Sequence, residues 1–284
     1  MKILDNDELR RIHSLAMQIK TPVSGQATGN RKSKSKGTSV EFSDFREYVP
    51  GDDFRRIDWN AYGRFNRLFV KLYMEEREAP VQVFPDISLS MDYGTPNKFF
   101  AACRLAAAVS YISLLSYDSV YVNPWNEKIH GTYGPFRTQS AYIKVDNLLA
   151  GLKASGKSNF SDALRNMEWK TGRGVSFVIT DGLLWEGLEE GLKYLKYRNQ
   201  DVFLCLVLSP EEMSPVLNGA VKLIDSETGE AIEVTVSAAL LKRYEESLKQ
   251  HLAKLGEQCR KWGVHFAALT SSMPVDLMLK TVIG

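Results

Sequence analysis

Val81-Gln82-Val83-Phe84-Pro85-Asp86-Ile87-Ser88-Leu89-Ser90 is the stretch from which the rest of the chain is best read. Its first five residues form a short apolar run of the kind that makes a buried strand. The run ends on a carboxylate, followed at alternate positions by two hydroxyls. These are hard oxygen ligands suited to Mg²⁺ or Mn²⁺, and too few to enclose the ion, so positions are left for water or a partner. A second apolar run, Val175-Ser176-Phe177-Val178-Ile179-Thr180, ends on Asp181-Gly182 in the same way. Between the two, Ser158-Asn159 opens a helical pattern (Ala163, Leu164, Met167) and brings a third hydroxyl to a helix N-terminus.

From Val81 onward, strand and helix patterns alternate, which predicts an α/β fold with a mainly parallel sheet. The expected strands are 81–86, 119–123, 129–133, 175–180, 202–208 and 264–269. The expected helices are 98–116, 140–152, 160–167, 186–198, 211–217 and 238–262. Residues 221–236 alternate around Glu227-Thr228-Gly229 and predict an inserted hairpin. Both acidic segments therefore fall at the C-terminal ends of strands, the edge where open parallel sheets bind ligands. Two carboxylates converging there repel each other and raise one pKa unless a cation or a lysine lies between them. A divalent metal is the simplest resolution.

D-x-S-x-S, then Gly156-Lys157-Ser158-Asn159, then Thr180-Asp181-Gly182, in that order, resembles the metal-ion-dependent adhesion site (MIDAS) of a von Willebrand factor A domain. The resemblance implies a doubly wound sheet with helices on both faces. It places Asp86, Ser88 and Ser90 near a Mg²⁺ (or Mn²⁺), with Ser158 as the hydroxyl ligand and Asp181 as the second carboxylate. A further stretch, Val40-Glu41-Phe42-Ser43-Asp44-Phe45-Arg46-Glu47-Tyr48-Val49-Pro50-Gly51-Asp52-Asp53-Phe54-Arg55-Arg56-Ile57-Asp58-Trp59-Asn60-Ala61, is similar to the signature of the bacterial domain-of-unknown-function family number 58. That likeness continues through Arg64, Leu68 and Glu75-Glu76. It returns at Leu223-Ile224-Asp225-Ser226-Glu227-Thr228-Gly229-Glu230, so it covers nearly the whole chain. It implies a bacterial, non-enzymatic adaptor working with a MoxR-type AAA+ ATPase in the assembly or chaperoning of another complex. A partner carboxylate would complete the metal.

The chain divides into an N-terminal helix with a flexible basic loop (1–39), the signature segment packed on the main domain (40–80), and the von Willebrand A-like domain (81–284). Asp5 and Glu8 form a capping-box start for a helix with Leu9, Ile12, Ala16 and Ile19 on one face, ended by Thr21-Pro22. The run Arg31-Lys32-Ser33-Lys34-Ser35-Lys36 reads as a solvated loop, not a nucleic-acid patch. At 284 residues with a formal net charge of +2, the chain has no bias toward nucleic acid or acidic partners. Met1 to Arg10 lacks the apolar core of a signal peptide, and the apolar helix Ala101 to Leu115 is too short to span a bilayer. A cytoplasmic protein is expected, with Cys103, Cys205 and Cys259 as reduced thiols.

Two rival chemistries overlap the site. Gly151-Leu152-Lys153-Ala154-Ser155-Gly156-Lys157-Ser158 fits the G-x-x-x-x-G-K-[ST] phosphate loop of a nucleotide hydrolase, but such a loop follows a strand and residues 140–150 read as a helix. Asp86 as a phosphoaspartate nucleophile fails on Ser88, where such enzymes have a second Asp. His13, His130, His251 and His265 stand apart without metal spacing, and no nucleophile elbow is present. In the signature segment, Arg46, Arg55 and Arg56 are candidate docking residues, because arginine is enriched at binding hot spots. The segment's Asp and Arg side chains are expected to satisfy one another, with Trp59 plugging the sheet. A protein whose metal site has decayed, docking through residues 40–80, is a third reading.

Overall fold

The computed structural model describes residues 2–18, 40–75, 80–169, 171–182 and 185–284. Ten strands are labelled in chain order: β1 Val40–Glu47, β2 Phe69–Glu75, β3 Pro80–Pro85, β4 Ser119–Val122, β5 Tyr133–Phe136, β6 Gly174–Thr180, β7 Gln200–Leu208, β8 Gly219–Ile224, β9 Ala231–Val236 and β10 Val264–Thr270. The helices are α1 Asn6–Gln18, α2 Trp59–Phe65, α3 Lys98–Leu115, α4 Tyr142–Ala150, α5 Phe160–Arg165, α6 Trp185–Tyr197, α7 Pro210–Met213, α8 Ala238–Lys261 and α9 Val275–Ile283. The chain divides into two units, one of residues 1–28 and 79–284, the other of residues 29–78.

The larger unit is built on a six-stranded sheet in the order β10-β7-β6-β3-β4-β5, parallel except for the edge pair β4–β5. Its four central strands, β7, β6, β3 and β4, are buried on both faces, as a sheet covered on both sides requires. Successive residues point to opposite sides. Val81, Val83, Phe177, Ile179, Cys205 and Val207 join the layer of α1, α3, α4 and α9. Phe84, Val178, Val202, Leu204 and Leu206 join the layer of α5, α6 and α8. Each fully buried side chain of this size contributes about 1.5–3 kcal/mol. The expected doubly wound α/β architecture, with helices on both faces, is the one observed.

α3 has the length and composition of a membrane-crossing helix, but Ala102, Leu105, Ala106, Ala107, Ala108 and Val109 are all fully covered by the sheet and neighbouring helices. α1 opens on the expected capping box: Glu8 N donates to Asp5 Oδ1 at 2.8 Å and Asp5 N to Glu8 Oε2 at 3.0 Å. Its Ile12 is fully buried, and Glu8 pairs with Arg104 of α3. Ile19, Thr21-Pro22 and the basic loop lie outside the described residues, as does Glu76.

Two elements lie at other bounds than the sequence predicts. The strand expected at 129–133 lies at Tyr133–Phe136, because Trp125 and Ile129 bridge one another in a tight reversal and the partner positions of β4 fall on Tyr133 and Phe136. The helix expected at 211–217 is one turn, Pro210–Met213, closed by a Ser209–Glu212 capping box. β1, α2 and α9 have no counterpart among the elements expected from the sequence. The hairpin is present, β8 pairing antiparallel with β9 from Gly219↔Val236 to Ile224↔Ala231.

In the smaller unit β1 and β2 pair antiparallel with an irregularity between Phe42 and Asp44. Its charged residues are used partly as expected. Arg46 pairs with Asp52 at 2.8 Å, whereas Asp53 and Asp58 cap the following helical turns through backbone N–H groups. Trp59 does not plug a sheet. It is the first residue of α2 and is 63% exposed, because the Asp58 cap fixes the helix start and turns that position outward.

Candidate metal centre

From β3 the chain steps to β4 and β5 on one side, then crosses to β6 on the other and continues to β7 and β10. The direction of winding reverses between β3 and β6, and ligands of open α/β sheets bind in the crevice outside the strand ends at such a point. Asp86 and Asp181 follow the last residues of these two strands. Asp86 N donates to Ile179 O at 2.9 Å, carrying the strand pairing up to the carboxylates.

Asp86 is fully buried. Its Oδ1 accepts from Ser88 N at 2.8 Å, and its Oδ2 from Thr180 Oγ1 at 2.6 Å and Ser158 Oγ at 3.1 Å. Ser88 Oγ and Ser90 Oγ are 3.0 Å apart. Burial, and then the Asp181 carboxylate, push Asp86 up to about 7 against the hydrogen bonds from Thr180 and Ser88 that pull it down. Two hydroxyls thus donate to one carboxylate, with the Ser88–Ser90 hydroxyl pair beside it, and each hydroxyl oxygen keeps a lone pair when it donates its proton.

Two loops hold this arrangement. Ser155 N donates to Ile87 O at 2.7 Å and Leu89 N to Gly156 O at 3.0 Å, lacing residues 86–90 to residues 155–158. Asn126 backs the second loop: its Nδ2 donates to Ser155 O at 2.7 Å, and its backbone O accepts from Asn159 N at 3.2 Å. Gly156 has φ +73°, and a Cβ there would lie 2.7 Å from Asn126 Nδ2, so only glycine fits both the backbone and the space. Gly182 has φ +69° and a Cβ would meet Leu206 at 2.7 Å, which explains why glycine follows Asp181.

Asp181 has a partner that the sequence reading did not name. Lys98, the first residue of α3, is fully buried, and its Nζ lies 3.0 Å from Asp181 Oδ2 and 2.6 Å from Glu212 Oε1. Burial alone would pull the ammonium down, but the two carboxylates outweigh it and hold it above its ordinary value. Glu212 is tied in turn to α7 by its capping box, and its carbonyl accepts from Tyr244 Oη of α8 at 2.8 Å. A lysine at the head of a helix with only one other charged residue, Arg104, was the signal that could have found Lys98.

The structure brings Asp86, Ser88, Ser90 and Ser158 together around one point, with Asp181 on the adjacent strand end. The donor set is all oxygen, as Mg²⁺ or Mn²⁺ prefers. Among the described residues no group of three or more His, Cys, Asp or Glu forms a metal cage, so any ion here depends on the hydroxyls. Asp86, Asp181 and Glu212 set three carboxyl groups against the single ammonium of Lys98, so the cluster is short of positive charge. The residues fit such an ion.

The phosphate-loop reading loses its premise. Residues 151–159 follow helix α4, with Gly151 as its C-terminal cap, and no strand precedes them. Cys103, Cys205 and Cys259 are buried free thiols, and burial pushes Cys103 up to about 12. The four histidines remain scattered, with His130 hydrogen-bonded to Asn126 at 2.9 Å. In the smaller unit Arg46 holds Asp52 and Arg55 lies 5.9 Å from the Phe54 ring, while Arg56 lies in the short helical turn Phe54–Arg56.

The family model described as "Protein of unknown function DUF58" matches residues 44–254. The uncharacterized protein Rv1480 of Mycobacterium tuberculosis (strain H37Rv) is 26% identical over 267 residues, covering 91% of this chain and 83% of its own length. The uncharacterized protein Mb1516 of Mycobacterium bovis shows the same figures. Among solved structures, the conserved hypothetical protein BatB of Bacteroides thetaiotaomicron superposes with a TM-score of 0.45 at 18% identity, covering 72% of this chain and 97% of its own. An aerotolerance-related membrane protein of Bacteroides fragilis gives 0.43 at 18% identity, with coverages of 72% and 98%.

Proposed function

The chain belongs to the DUF58 family, and from that premise we propose that it is a non-enzymatic, divalent-cation-dependent protein-binding adaptor. The observation that carries the reading is the fully buried Asp86, met only by hydroxyl and amide donors at the switch point of the sheet. Asp86, Ser88, Ser90, Ser158 and Asp181 hold Mg²⁺ or Mn²⁺. The bound ion supplies an open position for a carboxylate of the partner. Ser88 and Ser158 orient the Asp86 carboxylate, Lys98 keeps Asp181 in place, and the laced loops exclude water from the floor of the site. A charge-assisted bond made in so dry a setting is strong enough to dominate a modest interface. The partner proposed is a MoxR-type AAA+ ATPase in the cytoplasm, with Arg46, Arg55 and Arg56 as a second point of contact.

One observation favours a second reading. Lys98 already supplies a cation to Asp181, so the cluster can stand as a metal-free structural knot. Calorimetry on the intact chain separates the two. The adaptor reading expects Mg²⁺ or Mn²⁺ binding that Asp86→Ala abolishes and Asp181→Ala weakens less, together with partner capture that a chelator prevents. Unchanged ion binding in Asp86→Ala, or none in the unmodified chain, refutes it.

A further inference from the structure

The turn Asp225-Ser226-Glu227-Thr228-Gly229-Glu230 lies within the stretch that the sequence marks as part of the family pattern. It joins β8 to β9, and its shape is fixed from within. Asp225 Oδ1 accepts from Glu227 N and Thr228 N, both at 2.8 Å, Asp225 N donates to Glu230 O at 2.8 Å, and Gly229 N to Asp225 O at 2.9 Å. The backbone N–H groups of Thr228 and Glu227, ahead of the smaller pull of Lys157, hold the Asp225 carboxyl below its usual range. A turn closed in this way presents the Glu227 side chain in one direction.

That direction is toward the site. Glu227 Oε2 accepts from Ser158 N at 3.2 Å, across 69 positions of sequence. Ser158 at the same time donates its hydroxyl to Asp86. One residue therefore separates the hairpin's carboxylate from the carboxylate at the floor. The hairpin also inverts the usual polarity of a solvated insertion. Leu223, Ile224 and Ile232 are 44%, 64% and 60% exposed, whereas Glu227 is half-buried in a turn whose other residues are exposed. A hairpin that served only to cover the domain would turn its apolar residues inward and its acid outward.

We propose that Glu227 is an internal carboxylate ligand of this site, carried on a hairpin lid, and that it holds the place a partner's carboxylate takes. This rests on the cation reading above. In the closed state Glu227 completes the ion. An acidic partner residue binds by displacing it, so the hairpin must lift from the Gly156–Ser158 loop before docking. The partner class is then an exposed Asp or Glu on a protein surface, since only another carboxylate replaces this one like for like.

Mn²⁺ alone, added to the intact chain, tests the assignment. Calorimetry gives its affinity, and water-proton relaxation reports the water on each bound ion. Glu227→Gln keeps a hydrogen-bond acceptor for Ser158 N while losing the charge, and Glu230→Gln is the charge-matched control on the exposed side of the same turn. Glu227→Gln is expected to weaken Mn²⁺ about tenfold, as loss of a group that tunes a metal site does, and to raise relaxation per bound ion as water enters. Glu230→Gln should change neither, and the melting temperatures of both should match the unmodified chain. Equal behaviour of the two variants overturns the role of Glu227 while leaving the cation reading intact, provided Asp86→Ala abolishes binding. Absence of Mn²⁺ binding in the unmodified chain overturns both.

Discussion

Replacing Lys98 by methionine removes one buried ammonium and nothing else of its length. What remains is Asp181, whose side chain is 1% exposed, and Glu212, 18% exposed, facing each other without a cation. Breaking a buried ion pair from one side costs about 3–5 kcal/mol, because the surviving charge has been stripped of both water and partner. In a domain of this size each kcal/mol lowers the melting temperature by about 2–4 °C. Lys98→Met should therefore melt roughly 6–20 °C below the unmodified chain, read by differential scanning calorimetry. Adding Asp181→Asn to it should recover a large part of the loss, since the more deeply buried of the two stranded charges is gone. Excess Mg²⁺ should raise the melting temperature of Lys98→Met more than that of the unmodified chain, because an ion that binds only the folded state stabilises it by an amount that grows with the logarithm of its affinity there. A Lys98→Met variant that melts within about 2 °C of the unmodified chain would refute the argument. So would a double variant no better than the single one.

Two further expectations concern backbone and exposure. Gly156→Ala places a Cβ against Asn126 and forces a strained φ, so it should cost about 1–3 kcal/mol in urea melts and weaken ion binding by shifting Ser158; a neutral result would mean that the loop is free to relax. Trp59→Ala should change stability by no more than about 0.5 kcal/mol, since the ring is mostly exposed, whereas Asp58→Ala, which strips the cap from α2, should cost about 1 kcal/mol. The reverse ranking in thermal melts would restore Trp59 to a core role.

The central strands and the carboxylates at their ends were legible because each strand's burial is written in its own residues. Val81 to Pro85 and Val175 to Thr180 need no distant information to be read as buried. The phosphate-loop motif was also decided locally, by the helical pattern of residues 140–150. Side-chain partnership was not legible in the same way. Nothing near Lys98 in sequence reveals that Asp181 and Glu212 will meet it, since α3, β6 and α7 converge only in the folded sheet. Thr180, Asn126 and Glu227 were hidden for the same reason. The exposure of Trp59 is not written in its neighbourhood, because a stretch dense in aromatics and charge gives no indication of which rings face water.

The pairing of β3 with β6 also has a kinetic meaning. Asp86 and Thr180, bonded at 2.6 Å, stand 94 positions apart, with α3, β4, β5, α4 and α5 between them. Long-range parallel pairing of this kind forms slowly, because the loop entropy must be lost before the contacts repay it. The bonds from Ser158 and Thr180 to Asp86 therefore come only with that pairing, whereas the local Asp86–Ser88 turn does not need it. A nascent or partly refolded chain can show helix content and a collapsed core while lacking these long-range bonds, and their appearance marks the closing of the sheet's central seam.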